Sequence, residues 1–370
     1  MKTNSFSADE KKLKIAAQTL AERILIRPEW GKIIFLRGEM GAGKTTFLRA
    51  FAEFLKIETQ SPSFQICRET KFRRKIVDKI DENWTFAHFD FWRISQNDPE
   101  ILELFCEKIA DEKTIVAVET DGRFQISDFR RQISDFKFIE VSLEIVDEKT
   151  RRISFDFQNL EIPDEKEISK IFDEFATPAH VRAHCFGVRK VADFLAAKIS
   201  KNGFPLDLKL ISAAAVLHDF VRIVNFENLD FEKFDEKITP QKVKIWENLR
   251  AKFPPNFHHA EVGAAILRER NFNSTADVVA AHRSRRALED FPMTLEKKIV
   301  HFADKKVLHD KVVNLQTRLA DGKVRHRHHS DETREKLREK TQKLAAELFQ
   351  KAGGISEMEF DAEVSNGVKS

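Results

Sequence analysis

Tyrosine is missing altogether from this 370-residue chain although phenylalanine occurs 33 times, so no phenol is available as an acid, base or nucleophile. The three cysteines, Cys67, Cys106 and Cys185, are far apart and form no CxxC pair. That excludes a disulfide framework and a thiolate zinc site, and it suits a reducing compartment. Glycine (12) and proline (10) are scarce, which rules out collagen-like and low-complexity chains. No apolar run approaches the roughly 18 residues of a membrane helix, and the opening MKTNSFSADEKK lacks the apolar centre of a secretory signal. A cytoplasmic protein with no membrane association is therefore expected. Lys plus Arg exceed Asp plus Glu by only 63 to 60, so any nucleic-acid footprint must be local. What is present, 42% hydrophobic and 33% charged residues, is globular, and at roughly 150 residues per domain it predicts two domains with a remainder.

Leu13, Ala17, Leu20, Ala21 and Ile24 recur at helical spacing within 8–26, and KIIFLR at 32–37 follows as a short apolar strand. Further strands are predicted at 63–69, 84–90, 114–119, 136–146 and 151–157, with helical stretches between several of them. Such alternation predicts an α/β domain whose partly parallel sheet ends in antiparallel strands. From about 168 onward the apolar residues fall at 3.6-type spacing, which predicts an all-helical second domain. The boundary is placed in the polar segment 158–170, giving an α/β domain over 1–160, a helical domain over 168–325 and a charged segment over 326–370. In that last segment Leu337, Leu344 and Leu348 mark one helical stripe ahead of a loose tail.

The octapeptide Gly38-Glu39-Met40-Gly41-Ala42-Gly43-Lys44-Thr45 fits GxxxxGK[ST], directly after a strand and at the start of a helix. Main-chain N–H groups from Gly38 to Thr46 curl around phosphates in such a loop, and the helix N-terminus adds partial positive charge. Lys44 is placed to reach the β and γ phosphates, and Thr45 to offer its hydroxyl to Mg²⁺. Hydrolysis needs a further Mg²⁺ carboxylate and a group that positions water. Asp90 closes WTFAHFD and Glu119 closes TIVAVE, so Asp90 is the candidate Mg²⁺ ligand and Glu119 the candidate base. For each, a merely exposed acid at a strand end is the alternative.

GEMGAGKTT, SPSF at 61–64, HFDFWR at 88–93 and VAVET at 116–120 together resemble, in order and spacing, the TsaE family over about residues 5–157. That family is the ATPase subunit of the bacterial machinery that makes threonylcarbamoyladenosine in tRNA. The resemblance implies a P-loop NTPase fold, ATP and Mg²⁺ as cofactors, and subunits of the threonylcarbamoyl-transfer complex as partners, with tRNA reached indirectly. It further implies a nucleotide-sensing switch at Ser61–Phe64, magnesium binding by Asp90 and catalysis by Lys44 and Glu119. Ser63 stands where the family usually has Thr, Trp92 where it has Tyr, and Thr120 where it has Trp. Between Arg68 and Lys79 six basic residues face two acids; the segment reads either as a surface for RNA phosphates or an acidic partner, or as a solvated hairpin tip.

The helical half carries His184, the adjacent His218-Asp219, His259, His282 and Asp304. Imidazoles and carboxylates without thiolate suit borderline or hard divalent metals. Each of these residues sits in a segment of helical pattern, and adjacent residues on a helix point about 100° apart, so His218 and Asp219 both reach one ion only at the seam between their faces, which a bundle core provides. VRAHCFGVRKVADFLA, AAAVLHDFVRI, HHAEVGAAILRE, VVAAHR and VHFADKKV resemble the HD-domain metal-dependent phosphohydrolases over roughly 176–320. That resemblance implies an all-α helical bundle in which His184, His218, Asp219 and Asp304 hold one metal and His259 and His282 complete a second site, His258 being the rival to His259. Mn²⁺, Co²⁺, Ni²⁺ or Mg²⁺ would serve, with His218 and Asp219 at the catalytic centre. Arg283, Arg285, Arg286, Lys305 and Lys306 read as phosphate clamps or as solvated surface, and His326-Arg327-His328-His329 as a solvated loop.

These readings combine into a P-loop ATPase for tRNA modification fused to an HD phosphohydrolase acting on a phosphate ester or nucleotide. Two alternatives remain at this stage: a phosphate-ester hydrolase with a regulatory P-loop domain, and a small-molecule kinase, for which no acceptor-binding lid segment is visible.

Overall fold

The computed structural model describes residues 4–57, 67–76, 79–91, 98–120, 130–226, 234, 236–254, 256–283, 292–325 and 330–366. These form two compact units, Met1–Leu160 with Ser200–Asp207, and Glu161–Ile199 with Leu208–Ser370.

The first unit is a seven-stranded mixed sheet. Its strands are β1 (Asn4–Ala8), β2 (Ile33–Arg37), β3 (Cys67–Ile76), β4 (Lys79–Asp90), β5 (Thr114–Thr120), β6 (Phe138–Ile145) and β7 (Arg151–Gln158), in the spatial order β1-β7-β6-β2-β5-β4-β3. The four central strands β6, β2, β5 and β4 run parallel, while β7, β1 and β3 join antiparallel at the flanks. Successive side chains on a strand point to opposite faces. Ile34, Leu36, Phe86, Ile115 and Ala117 accordingly pack with α1 (Glu10–Ile26) and α2 (Lys44–Leu55), and Ile33, Phe35, Phe89, Val116 and Val118 pack on the other face with α3 (Pro99–Ala110). Burial of both faces explains why β5 is apolar nearly throughout. Asp9 caps α1 by accepting from the Lys12 N–H, which ends the approach from β1 and starts the helix.

One expectation changes here. The basic segment, read as a surface for RNA phosphates or an acidic partner or as a solvated hairpin tip, is mostly strand, because Cys67–Ile76 pairs along β4 at the sheet edge. Arg74 within it is committed to packing: its guanidinium lies 4.8 Å from the Trp84 ring centroid and donates to the Leu25 carbonyl. Residues 63–66, the switch at Ser61–Phe64 and Trp92 lie outside the described residues. A short helix, α4 (Arg130–Ile133), precedes β6.

The second unit is helical: α5 (Glu165–Glu174), α6 (Ala179–Lys201), α7 (Leu208–Leu217), α8 (Pro240–Lys252), α9 (His259–Glu269), α10 (Asn273–Ala281), α11 (Leu295–Asp304), α12 (Leu315–Arg325), α13 (Asp331–Lys351) and α14 (Glu357–Asn366). A capping box, Asp164 with Glu167, opens α5. Helix α10 packs against α7, α9 and α11, and α7 against α11; Leu210, Val216, Val262, Ala276, Val279 and Ile299 of these helices are all buried. The unit is not wholly helical, since β8 (Val307–Leu308) and β9 (Lys311–Val312) form a small hairpin. Nor is the end a loose tail. Phe360 and Val364 of α14 are buried, and Thr341, Ala345, Leu348 and Phe349 form the buried stripe of α13, leaving Leu337 and Leu344 half-buried. The i, i+4, i+7, i+8 spacing of that stripe is the ordinary core face of a helix. No described helix is long and apolar enough to cross a membrane.

Candidate nucleotide site and candidate metal centre

Strand β2 ends at Arg37 and α2 begins at Lys44, so the glycine-rich loop connects the carboxyl end of a central parallel strand to a helix N-terminus. Ligands gather at this end of open α/β sheets. The loop has no room for a side chain at Gly38, where a Cβ would meet the Leu143 carbonyl oxygen at 2.5 Å. Gly41 and Gly43 adopt φ of 82° and 99°, which L side chains rarely adopt. Gly43 is the N-cap of α2, and Lys44 folds over the loop to donate to the carbonyls of Gly38 and Glu39. Glu39 and Met40 are exposed, Ala42 is buried, and Thr46 is half-buried on the first turn of α2.

Parallel pairing sets Glu119 beside Asp90 on one side and Leu36 on the other. The Glu119 carboxylate is nearly buried; one oxygen lies 3.5 Å from the Thr45 hydroxyl and the other accepts from His88 Nε2 at 2.9 Å. Lys44, Thr45, Asp90 and Glu119 are thus gathered by three strand ends and one helix start. Sequence reasoning missed His88, although the signal was there: in WTFAHFD the period-2 alternation places His88 on the face of Phe86 and Asp90.

In the helical unit all six nominated ligands are drawn to one place, each near a helix end or one turn into it. His184 lies on α6, His218 and Asp219 just past the end of α7, His259 at the first residue of α9, His282 just past α10, and Asp304 at the last residue of α11. The HD pair is therefore in a turn, not within a helix. Leaving the helix lets both side chains face inward, and the turn is tied by the Thr177 hydroxyl donating to the Phe220 carbonyl at 2.8 Å.

The Asp219 carboxylate is the hub. Its Oδ1 lies 2.9 Å from His259 Nε2 and 3.3 Å from His282 Nε2, and its Oδ2 lies 3.6 Å from His218 Nε2 and 3.9 Å from His184 Nε2. Asp304 Oδ1 completes the second group, 3.4 Å from His184 and 3.8 Å from His218. In each of two triplets, His184/His218/Asp219 and His258/His259/His282, the ligand atoms lie within 4.8 Å of one another. His258 thus joins the second triplet beside His259.

Every ring is oriented from behind. His184 Nδ1 donates to the His309 carbonyl (2.7 Å), His218 Nδ1 to Ala215 (2.8 Å), His282 Nδ1 to Val279 (2.6 Å), and His259 Nδ1 to the Asn225 side-chain oxygen (2.8 Å). With the four Nδ1 atoms engaged behind, the four Nε2 atoms point inward, and the His259 and His282 Nε2 atoms face each other at 3.2 Å. Two ring nitrogens that close need a proton or a cation between them, and His218 Nε2 and Asp219 Oδ1 are buried with no hydrogen-bond partner. This donor set fits divalent metal, with the outer hydrogen bonds that metal-binding histidines require. Burial lowers the His259 pKa to about 4, leaving a neutral imidazole at pH 7. Burial alone would raise Asp219, but the Arg222 guanidinium 2.7 Å away and the imidazoles hold it well below the carboxylate range.

Asn225 and His301 were not foreseen. Asn225 also accepts from the His259 main-chain N–H at 2.6 Å, and His301 Nδ1 donates to the His282 carbonyl at 3.1 Å. Neither position carries a sequence signal, because each acts on a partner distant or ambiguous in the chain. The β8–β9 hairpin serves the same end, its turn residue His309 (φ 56°) aiming a carbonyl at His184. Of the suggested phosphate clamps, Lys306 is corrected: it is fully buried and paired with Glu357 and Asp361 of α14. Arg283 is bound to Glu261 and Lys305 to Asp304, while Arg285, Arg286 and His326–His329 lie outside the described residues.

A family model described as threonylcarbamoyl adenosine biosynthesis protein TsaE matches residues 7–153, and one described as HD domain matches residues 181–308. The tRNA threonylcarbamoyladenosine biosynthesis protein TsaE of Aquifex aeolicus is 31% identical over 138 residues, covering 36% of this chain and 84% of that protein. Its counterpart in Rickettsia felis is 28% identical over 149 residues, covering 40% of this chain and 75% of that protein. The solved structure titled "Crystal structure of Bacillus subtilus YdiB" is 20% identical, covering 42% of this chain and 86% of that one, with a TM-score of 0.28.

Proposed function

The chain belongs, through its N-terminal α/β unit, to the TsaE family, and from that premise we propose that this unit is an ATP-hydrolysing accessory of tRNA threonylcarbamoyladenosine formation. It works in the cytoplasm with the subunits that carry out threonylcarbamoyl transfer, reaching tRNA through them. The helical unit, which matches the HD domain, is proposed as a metal-dependent phosphohydrolase on the same chain, with the division falling between 160 and 168.

At the first site main-chain N–H groups from Gly38 to Thr46 cradle the phosphates, Lys44 takes the outer ones, and Thr45 and Asp90 hold Mg²⁺. Glu119 accepts a proton from the attacking water while His88 holds its other oxygen in place. The observation that carries this reading is the meeting of Thr45, Glu119 and His88 at 3.5 and 2.9 Å on a strand end in register with Asp90.

At the second site His184, His218, Asp219 and Asp304 suit one divalent ion and His259 and His282 a second, with Asp219 offering one oxygen to each group. Such ions polarise phosphoryl oxygens and lower the pKa of a water. The residues' own part is to fix four imidazole rings from behind through Nδ1 and so aim their Nε2 atoms at the two aspartates, and that geometry is the observation supporting the assignment.

The test is ATP turnover by the full chain alone and with the threonylcarbamoyl-transfer subunits, together with elemental analysis of the purified protein. Slow turnover accelerated by the subunits, and bound transition metal, are expected. Turnover indifferent to those subunits would remove the accessory role; a metal-free protein whose melting ignores added Mn²⁺, Co²⁺ and Ni²⁺ would remove the hydrolase.

A further inference from the structure

A cavity of about 270 Å³ in the helical unit is lined in part by His184, one of the candidate metal ligands. Its remaining lining includes Arg222, Arg318, His180 and Phe226, and no carboxylate. The two guanidiniums are not free to wander. Arg222 is held on Asp219 at 2.7 Å; Arg318 donates to the Val307 carbonyl at 3.1 Å and lies 3.9 Å from Asp304. Arg222 is thus tethered to one aspartate of the candidate metal centre, while Arg318 is held by Asp321 at 3.4 Å with Asp304 just beyond, which fixes both side chains where the cavity meets that centre. Arg318 comes from α12, beyond the segment 181–308 that the HD model matches, so this feature is supplied by the chain outside that segment.

Away from the cations the lining is apolar and aromatic. The Phe226 and His180 rings stack at 6.0 Å with an interplanar angle of 21°, and Phe226 is backed by Phe234, which stacks in turn on the buried Trp246 at 5.8 Å. An aromatic wall braced in this way presents a fixed face to a flat ring. The volume lies just below the roughly 300–1,000 Å³ of drug-sized pockets, which limits the occupant to one compact molecule.

We propose that this cavity receives the organic part of the substrate and that the substrate is a nucleoside monophosphate. Arg222 and Arg318, each held by a carboxylate, turn their remaining N–H donors to the oxygens of a single phosphomonoester, and Phe226 with His180 packs the base. In the hydrolysis the water oxygen bonds to phosphorus, the ester P–O bond breaks, and the proton given up by water ends on the leaving oxygen, yielding a nucleoside and inorganic phosphate. The inference rests on the phosphohydrolase reading of this unit.

The full-length protein with Mn²⁺ is assayed for phosphate release from adenosine 5′-monophosphate and glycerol 1-phosphate, and for nitrophenol release from bis(p-nitrophenyl) phosphate. The nucleotide is expected to exceed glycerol phosphate by about 10-fold or more in kcat/KM, with the diester slowest. Phe226→Ala is expected to raise KM for the nucleotide about 10-fold and to narrow its advantage over glycerol phosphate. Arg318→Ala is expected to raise KM for both monoesters about 10-fold or more, with Arg318→Lys restoring part and bound manganese retained in both variants. Equal kcat/KM for nucleotide and glycerol phosphate, or preference for the diester, would overturn the substrate assignment and leave the hydrolase standing. Failure to cleave any of the three esters, with no manganese bound, would overturn both.

Discussion

In the α/β unit the candidate site is built largely of main chain: a loop whose glycines carry it through positive φ, with Gly38 against the Leu143 carbonyl, then two acids aligned by strand register. In the helical unit it is built of side chains, six ligands from helix ends, each imidazole held by a hydrogen bond from behind. The two kinds of site fail differently. A main-chain cradle tolerates changes in neighbouring side chains but not a change of backbone conformation. A side-chain cluster depends on buried groups that are costly to leave unpaired, and so on every orienting partner.

The sharpest way to break the comparison is a crossed pair of substitutions. Lys44→Ala should reduce ATP turnover to background and severely weaken nucleotide binding. Asp219→Ala should leave ATP turnover intact. If Asp219→Ala also abolished ATP hydrolysis, the two sites would not be independent.

Glu119→Gln should slow hydrolysis by about 10²–10⁴-fold, since the amide keeps the shape but takes up no proton. Calorimetry should still show ATP bound. Loss of binding equal to that of Lys44→Ala would show that Glu119 supports the loop instead of the chemistry.

Metal should stabilise the helical unit by about 2.7 kcal/mol at a hundredfold excess over Kd, because it binds the native state alone. Melting curves of the full chain with Mn²⁺ and with chelator would show an upward shift of one transition, and His218→Ala would erase it. An equal shift in His218→Ala would place the metal elsewhere.

The smallest expected effect sharpens the role of the outer hydrogen bonds. Asn225→Ala removes the oxygen that holds His259 without touching a ligand atom, and should weaken metal affinity by about 10–100-fold. Unchanged affinity in a titration with Mn²⁺ would show that burial alone orients His259.

The legible parts of this protein were those whose physics is local. The loop from Gly38 to Thr46 could be placed because glycine, lysine and threonine at fixed spacing, between an apolar strand and a helix, leave few other uses. Asp90 and Glu119 stood out because each ends an apolar run, and the six metal-centre residues because polar groups interrupt helical apolar patterns. β1 escaped notice, being only five residues with Phe6 as its one large apolar side chain; its place depends on β7, far away in the chain. α14 was read as loose because charge dominates it, yet Phe360 and the pairing of Glu357 and Asp361 with Lys306 hold it.

The amino-acid sequence by itself determined most of the elements and which residue types stand at the two candidate sites, since periodicity, capping and loop geometry act over a few neighbouring residues. Only the tertiary structure decided that His218 and Asp219 leave their helix to meet four candidate ligands from elsewhere, that His309 and Asn225 aim the His184 and His259 imidazoles, and that His88 bears on Glu119. The physical reason is range. The carbonyls three residues back that hold His218 and His282 are local, but ligand convergence and the hydrogen bonds that hold His184, His259 and Glu119 join segments 31 to 125 residues apart, and no local pattern encodes such a distance.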